Sequence, residues 1–579
     1  MNRLLKACIA DENMQNQPNK QDSTPTKRMW LCGTLGFLCA VCTELGSLLY
    51  RSEQLYVTSA SWWLNALLVL WLPILTFLYG MMVFRFMSFL SYSSRSDSAE
   101  KRTFSLKSFF IRILVLLFCW LPYLLLSLPG TVHGDYIVQM LQVFGNRSLD
   151  SHHPYLTTQL FGLLYRIGIN LTGSPDGAIL FTVLFQAVML AISLSFCITA
   201  LEARGGQNAL CKCAILFFAI TPIFPMFAFD CVKDTVAVTV LAFFLTQLCC
   251  RYCSSSISDN VSWWYSTPVI VSVAVFCSLL RNNFSYCIVP ALFVVQLQTR
   301  GWRNAVISCL CAGFALFVWS SLVLGYLGVA KGNVREMLSV PMQQIAYYLK
   351  CHADDVTPKE RDSIQGLIVV DVDELPERYT FRISDPVKSL FKIEGKRQLL
   401  QFFKVWFSLG LRHPRCYLTA FLHGNFGYWY PYLSFQDVKW ANPLSVSPED
   451  YIASLKNQLK LDFSGQASGL LSISAWDRQT RDGFCDIVTA IGNTPPLTLL
   501  FEPGFFIWIV MLTNSWLAYE RKQVATLVLC FMLFLTCCAS PDFSNMRYAL
   551  PFFVIAPLLI VYSSSCNPSP VQGGNHLKD

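Results

Sequence analysis

Ionisable and amide side chains gather at a few places along this chain, each beside the end of an apolar run. One such place is Pro129–Gly130–Thr131–Val132–His133–Gly134–Asp135, continuing through Tyr136, Ile137, Val138, Gln139, Met140, Leu141 and Gln142. Pro129–Gly130 ends the preceding segment, and the pattern predicts a new helix from Gly134–Asp135. On it Asp135, Gln139 and Gln142 fall at i, i+4 and i+7, so a carboxylate and two amides share one stripe. Ile137, Met140, Leu141 and Phe144 form the other face. A surface helix presenting one carboxylate suits a general base. An Asp in a first turn equally suits a helix cap, and spacing alone favours neither role.

A second group is Asp150–Ser151–His152–His153–Pro154–Tyr155–Leu156–Thr157–Thr158. Pro154 fits the first turn of a helix, with Ser151 or His152 as its cap. Neighbouring histidines diverge, so they do not suit joint ligation of one metal. One of them can meet an anion or Asp135, histidine being the side chain suited to proton traffic near neutral pH; both can equally be polar cap residues. Three further groups are Phe229–Asp230–Cys231–Val232–Lys233–Asp234–Thr235, Arg281–Asn282–Asn283, and Asp542–Phe543–Ser544–Asn545–Met546–Arg547–Tyr548. Any one rim cation can simply snorkel to the interface. Lys233, Arg281 and Arg547 at one membrane level could instead clamp a phosphate or pyrophosphate head group.

The elements that must hold these groups are membrane helices. The 579 residues are 54% hydrophobic and 14% charged, with a mean hydropathy of +0.44. The apolar residues sit in blocks of roughly 17–25, enough to cross hydrocarbon as helix. Spans are predicted at about 29–50, 61–87, 108–128, 176–201, 209–226, 235–252, 266–281, 284–299, 304–328, 498–518, 523–540 and 548–564. Lys27–Arg28, Arg95, Lys101, Arg102, Lys107, Arg204, Lys212, Arg251, Arg300, Arg303 and Arg521–Lys522 all then fall on one side. The positive-inside rule makes that side cytoplasmic and places both termini there.

The chain thus reads as an α-helical polytopic membrane protein of about 12 spans with a mixed, mainly helical exoplasmic domain. Its regions are a disordered cytoplasmic tail (1–28), nine spans (29–328), an exoplasmic domain (329–497), three spans (498–564) and a second tail (565–579). Outer-loop surface helices are expected in 129–175. Within the long outer segment, Leu367–Val370 reads as a short strand and Leu399–Leu411 as a helix lying on the membrane surface. The 23 cysteines lie mostly in apolar blocks, where a thiol is a small hydrophobe, and lack zinc-site spacing. The net charge of +8 comes without the aromatic and basic motifs of nucleic-acid binding. The sequons at Asn146 and Asn170 read as chance.

At these groups the chain resembles the GT-C superfamily of membrane glycosyltransferases, and within it a bacterial multi-pass branch. The resemblance rests on Gly134–Asp135 with Gln139, Ser151–His152–His153–Pro154 with Thr158 and Gly162, Lys233–Asp234, and Arg281–Asn282. It continues through Leu338–Ser339–Val340–Pro341–Met342–Gln343–Gln344, Gly427–Tyr428–Trp429–Tyr430–Pro431 and Met546–Arg547–Tyr548. It implies a catalytic acidic residue in the first outer loop, at Asp135. The second acid adjacent to it in many members is missing here, so a divalent metal has no clear support and no cofactor is expected.

The resemblance implies a transferase moving a sugar from a polyprenyl-phosphate donor to a cell-envelope glycan, lipid or protein at the outer face of a bacterial cell membrane. Asp135 would be general base. Gln139, His152, His153, Lys233, Asp234, Arg281, Asn282, Arg547 and Tyr548 would bind substrate or its phosphate. Two rivals are a flippase or transporter for lipid-linked glycans and a non-catalytic scaffold. A conduit calls for ionisable groups through the bilayer midplane, whereas only scattered ones such as Glu44 and Arg112 lie within or near spans.

Overall fold

The computed structural model describes residues 25–52, 62–94, 103–132, 134–253, 262–332, 334–393, 395–439, 441–442, 478–540 and 542–565. Most of both predicted tails, His133, and the loop cations Arg95, Lys101 and Arg102 fall outside them. The chain is a helical membrane protein. Three helices open it: α1 (Pro25–Ser52), α2 (Trp62–Ser94) and α3 (Leu106–Ser127). After a two-residue strand β1 (Thr131–Val132) come α4 (Gly134–Val143), α5 (Tyr155–Thr172), α6 (Pro175–Ala203), α7 (Asn208–Ile220) and the short α8 (Ile223–Ala228). Strand β2 (Asp230–Cys231) leads into α9 (Lys233–Cys253), α10 (Thr267–Leu280), α11 (Phe284–Arg300) and α12 (Trp302–Phe317).

Helices stand at all twelve predicted span positions, and seven are long and apolar enough to cross a membrane. Several depart from the expected outline. Lys27–Arg28 lie inside α1 rather than in a tail. The run predicted as one span at 209–226 breaks at Thr221–Pro222, because proline cannot donate to the helix ladder and biases its predecessor to extended backbone. The 304–328 run continues past α12 as a π-turn at Val318–Val323.

The bundle is graded from lipid to centre. In α2, α3 and α12 only 11% of the apolar window is buried, against 78% in α9 and 83% in the last helix, α20 (Met546–Ser563). On α3, Phe110, Leu114, Phe118, Leu121 and Leu125 form an exposed stripe of the kind hydrocarbon solvates. The two innermost helices, α9 and α20, carry Lys233, Asp234 and Arg547 of the site described below.

The long segment after α12 contains α13 (Ser339–His352), α14 (Pro358–Gln365), α15 (Lys396–Arg412), α16 (Pro414–His423) and α17 (Arg478–Gly492). The chain then ends in α18 (Pro503–Arg521), α19 (Ala525–Cys538) and α20. Residues Leu338 to Tyr417 build a hydrophobic core of their own. Phe426, Tyr428, Trp429, Tyr430, Phe435 and Val488 instead join the core of the bundle. The stretch predicted as one domain at 329–497 is therefore shared between two cores, and 443–477 lies outside the described residues. Leu367–Val370 forms no strand: a lone bridge, Ile368 to Phe391, stands in its place. Two short apolar turns packing into the second core satisfy the same pattern without a sheet partner.

Candidate functional site

The site is built where two strand–helix units lie side by side. β1 and β2 pair in parallel, Thr131 opposite Asp230 and Val132 opposite Cys231. Gly130 makes this approach possible. Its φ of +127° is a glycine conformation, and a Cβ there would meet Val183 Cγ1 at 2.8 Å. From α6, the Gln186 amide donates to the Asp230 carbonyl at 2.7 Å and fixes β2 from below. Because the strands run the same way, α4 and α9 begin next to each other. Asp135 sits in the first turn of one, and Lys233 and Asp234 in the first turn of the other. A carboxylate in a first turn is favoured by the helix dipole.

Five charged side chains from four chain segments meet there. Lys233 Nζ donates to Asp135 Oδ2 at 2.5 Å, and Arg547 Nη2 donates to the same oxygen at 2.6 Å. Arg547 also reaches Asp234 Oδ2 through Nε at 3.0 Å and Nη2 at 2.9 Å. Arg281 Nη1 pairs with Asp234 Oδ1 at 3.0 Å. Arg547 is aimed by Asn545, whose side chain caps α20 by accepting from the Arg547 N–H at 2.9 Å and is itself tied to Asp542 at 2.6 Å. The Arg281 guanidinium also lies over the Tyr548 ring, 5.3 Å from its centroid. Three cations against two carboxylates leave the network one positive charge in excess.

Exposure separates the two acids. The Asp234 side chain is 1% exposed and that of Asp135 29%. Asp234 is a buried counter-ion gripping two guanidiniums, while Asp135 is partly exposed. Burial alone would raise the Asp135 carboxyl, but the charges of Arg547 and Lys233 outweigh it and hold the group well below the usual carboxylate range. His153 Nδ1 lies 3.1 Å from Lys233 Nζ. Burial, with Lys233 beside it, pushes that imidazole well below its ordinary value, so His153 is neutral near pH 7. His152 is also pushed down by burial.

The structure sorts the predicted residues. Asp135, His153, Lys233, Asp234, Arg281, Arg547 and Tyr548 are brought together. His152 packs edge-on to His153 with ring centroids 4.6 Å apart. Asn282 donates to the Ser151 carbonyl at 3.1 Å and so ties the Arg281 turn to the histidine loop. Gln139 does not belong to the cluster. It is fully buried, and its amide donates to Thr158 Oγ1 at 2.9 Å and Thr157 Oγ1 at 3.3 Å. Gln142 reaches the Ser148 carbonyl at 3.4 Å. With both faces covered, α4 is packed within the protein. The polar stripe faces the start of α5 instead of solvent. Among the described bonds Asp135 caps nothing, and Pro154, not Ser151 or His152, occupies the N-cap of α5 with no side-chain bond.

Sequence reasoning missed Gln186 and the strand pair, and it placed Asn545 in a polar group without giving it a role. A buried glutamine in an apolar span is a signal that could have found the first. Among the described residues no group of three or more His, Cys, Asp or Glu is arranged to hold a metal ion. Chemically, the network can receive an anion at its open side, where Asp135, Lys233 and Arg547 meet.

Residues 141–572 match DUF6020, a family of unknown function. The chain belongs to that family. The match takes in Lys233, Asp234, Arg281 and Arg547 and begins after Asp135. No curated protein and no solved structure matches the chain.

Proposed function

We propose that the protein is an inverting membrane glycosyltransferase that takes a sugar from a polyprenyl-phosphate carrier and passes it to a cell-envelope acceptor. In this reading the chain spans the bacterial cell membrane twelve times, with the cluster and the second core on the outer face. The observation that carries it is the convergence of Asp135, Lys233, Asp234, Arg281 and Arg547 into one network with a surplus cation. It gains from the GT-C resemblance, which singles out the same residues.

The acceptor hydroxyl attacks the anomeric carbon, the bond from that carbon to the phosphate oxygen breaks, and its electron pair leaves with the phosphate. Lys233 and Arg547 stabilise that developing charge. Arg281 acts one step back, by keeping Asp234 and thereby Arg547 in place. Asp135 takes the proton. With Lys233 and Arg547 both on Oδ2, its carboxylate is too weak a base for this. A donor phosphate that engages Lys233 and Arg547 draws them away and adds negative charge nearby. Both effects raise Asp135 toward a useful basicity. Substrate binding therefore arms the base, and water alone does not.

The test is transfer by the full-length protein in proteoliposomes supplied with polyprenyl-phosphate hexoses and cell-envelope acceptors. Release of polyprenyl phosphate together with a glycosylated product is expected, and Asp135→Asn should lose it while folding normally. Full activity in that variant would sink the assignment. Movement of an intact lipid-linked glycan across the bilayer, with no bond broken, would point to a transporter instead.

A further inference from the structure

The second core exposes one helix in a way its own packing does not explain. On α15, Phe402, Val405 and Leu409 are buried in that core. At 100° per residue, Leu400, Phe403, Phe407 and Leu411 fall on the opposite side, and they are between 39% and 71% exposed. Leu418 on the adjoining α16 is exposed as well. A helix apolar on both sides has two partners, and only one of them is protein here.

The charges beside the open stripe identify the other. Lys396, Arg397 and Lys404 flank Leu400 on the helical wheel, all three are exposed, and among the described residues none is in an ion pair. From residue 395 to 436 the sequence contains five Lys and Arg (396, 397, 404, 412 and 415) and no Asp or Glu. The preceding stretch, 353–394, contains ten acids and six bases. Arg412 turns inward to Glu360 and Asp355, which joins α15 to that preceding stretch. The acids of the domain thus lie in the segment before α15, and the apolar stripe on α15 is edged by cations. A second copy of the chain would have to supply an acidic apolar face, whereas a bilayer surface supplies hydrocarbon and phosphate together.

We infer that α15 docks the domain onto the surface of an anionic phospholipid bilayer, with Leu400, Phe403, Phe407 and Leu411 inserted below the headgroups and Lys396, Arg397 and Lys404 on their phosphates. This surface is independent of the transferase reading. It is an attachment in addition to the spans, and it fixes the height of the domain above the membrane.

Photocrosslinking from p-benzoylphenylalanine placed at Phe407 or Leu400 tests it. The full-length protein is reconstituted in nanodiscs of phosphatidylcholine alone or with about a third phosphatidylglycerol, a fraction that gives the surface potential such segments need. Lipid adducts are expected at both positions and not at a control site, Lys359 on α14. The yield should rise several-fold with the anionic lipid. Replacing Lys396, Arg397 and Lys404 together by Gln should remove that increase while the apolar contact persists. Adducts to another copy of the chain, or none at all, overturn the inference. Equal yields in the two bilayers overturn its anionic part. Asp135→Asn should leave every adduct unchanged, so loss of transfer and loss of docking are read separately.

Discussion

Replacing Asp234 by Asn should destabilise the protein far more than replacing Asp135 by Asn, although the two carboxylates share Arg547. Asp234 is almost wholly enclosed, and it balances Arg281 and Arg547, whose side chains are themselves only 10% and 11% exposed. Asn keeps the volume but removes the charge and turns an amide N–H toward one guanidinium. Breaking a buried pair from one side costs about 3–5 kcal/mol, because the partner charge remains buried and uncompensated. Here two such charges remain, so the upper half of that range is expected. Asp135→Asn leaves Arg547 with both its bonds to Asp234. It leaves Lys233 next to His153 Nδ1, in a crevice that water reaches. Loss of charge-assisted bonds at such a site costs about 1–2 kcal/mol after allowance for solvent. The gap, about 2–4 kcal/mol, corresponds to a roughly 30- to 700-fold difference in the unfolding equilibrium at about 1.4 kcal/mol per decade. Unfolding of the full-length variants by SDS titration in mixed micelles reads this directly. Each substitution also raises the excess charge of the network from one to two, so the folded Asp135→Asn protein should bind pyrophosphate more tightly than the native one. Equal destabilisation by the two variants, or an Asp234→Asn protein as stable as the native chain, would refute the division into a structural and an open acid.

Two other groups, on α13 and α16, give predictions. His423 is buried and its imidazole is pushed down from 6.5 to about 4 by that burial. The folded chain holds it neutral while the unfolded chain protonates it, so stability is complete above about pH 6.5 and falls as the pH drops toward 4, by up to about 3 kcal/mol. His423→Leu should flatten that window in an acid-unfolding titration. The Cys416 thiol on α16 lies beside Cys351 on α13 and lowers the Cys351 thiol to about 6. Diamide should take two electrons and two protons from the pair and join them, seen as loss of two alkylatable thiols. Cys351→Ser should leave Cys416 alkylatable, and unchanged alkylation in the native protein would show that the sulfurs do not meet.

The membrane elements were readable because hydrocarbon imposes a length, and a run of about 20 apolar residues seldom suits anything but a span. The charged members of the site were readable for a related reason. Lys233, Arg281 and Arg547 at the ends of such runs are costly there unless something pairs with them. What pairs with them was not readable. Arg547 and Asp234 are 313 positions apart, and one sequence has no signal that joins two such residues, so three snorkelling cations and one ion network look the same. The strand pair that aligns α4 with α9 is two residues long, too short for any periodicity.

Gln139 shows the same limit from the other side. A polar residue at i+4 from Asp135 marks a helix face, but polarity does not say whether water or another side chain satisfies it. Thr157 and Thr158 both turn their hydroxyls back onto the Pro154 carbonyl and present their oxygens to the Gln139 amide. The stripe therefore packs the loop of His152 and His153 against α4 and sets His153 beside Lys233. Asp135, the one member of that stripe left partly open, is where the chemistry can occur. The Gln139 amide, expected to touch substrate, instead helps to hold that carboxylate at the mouth of the site.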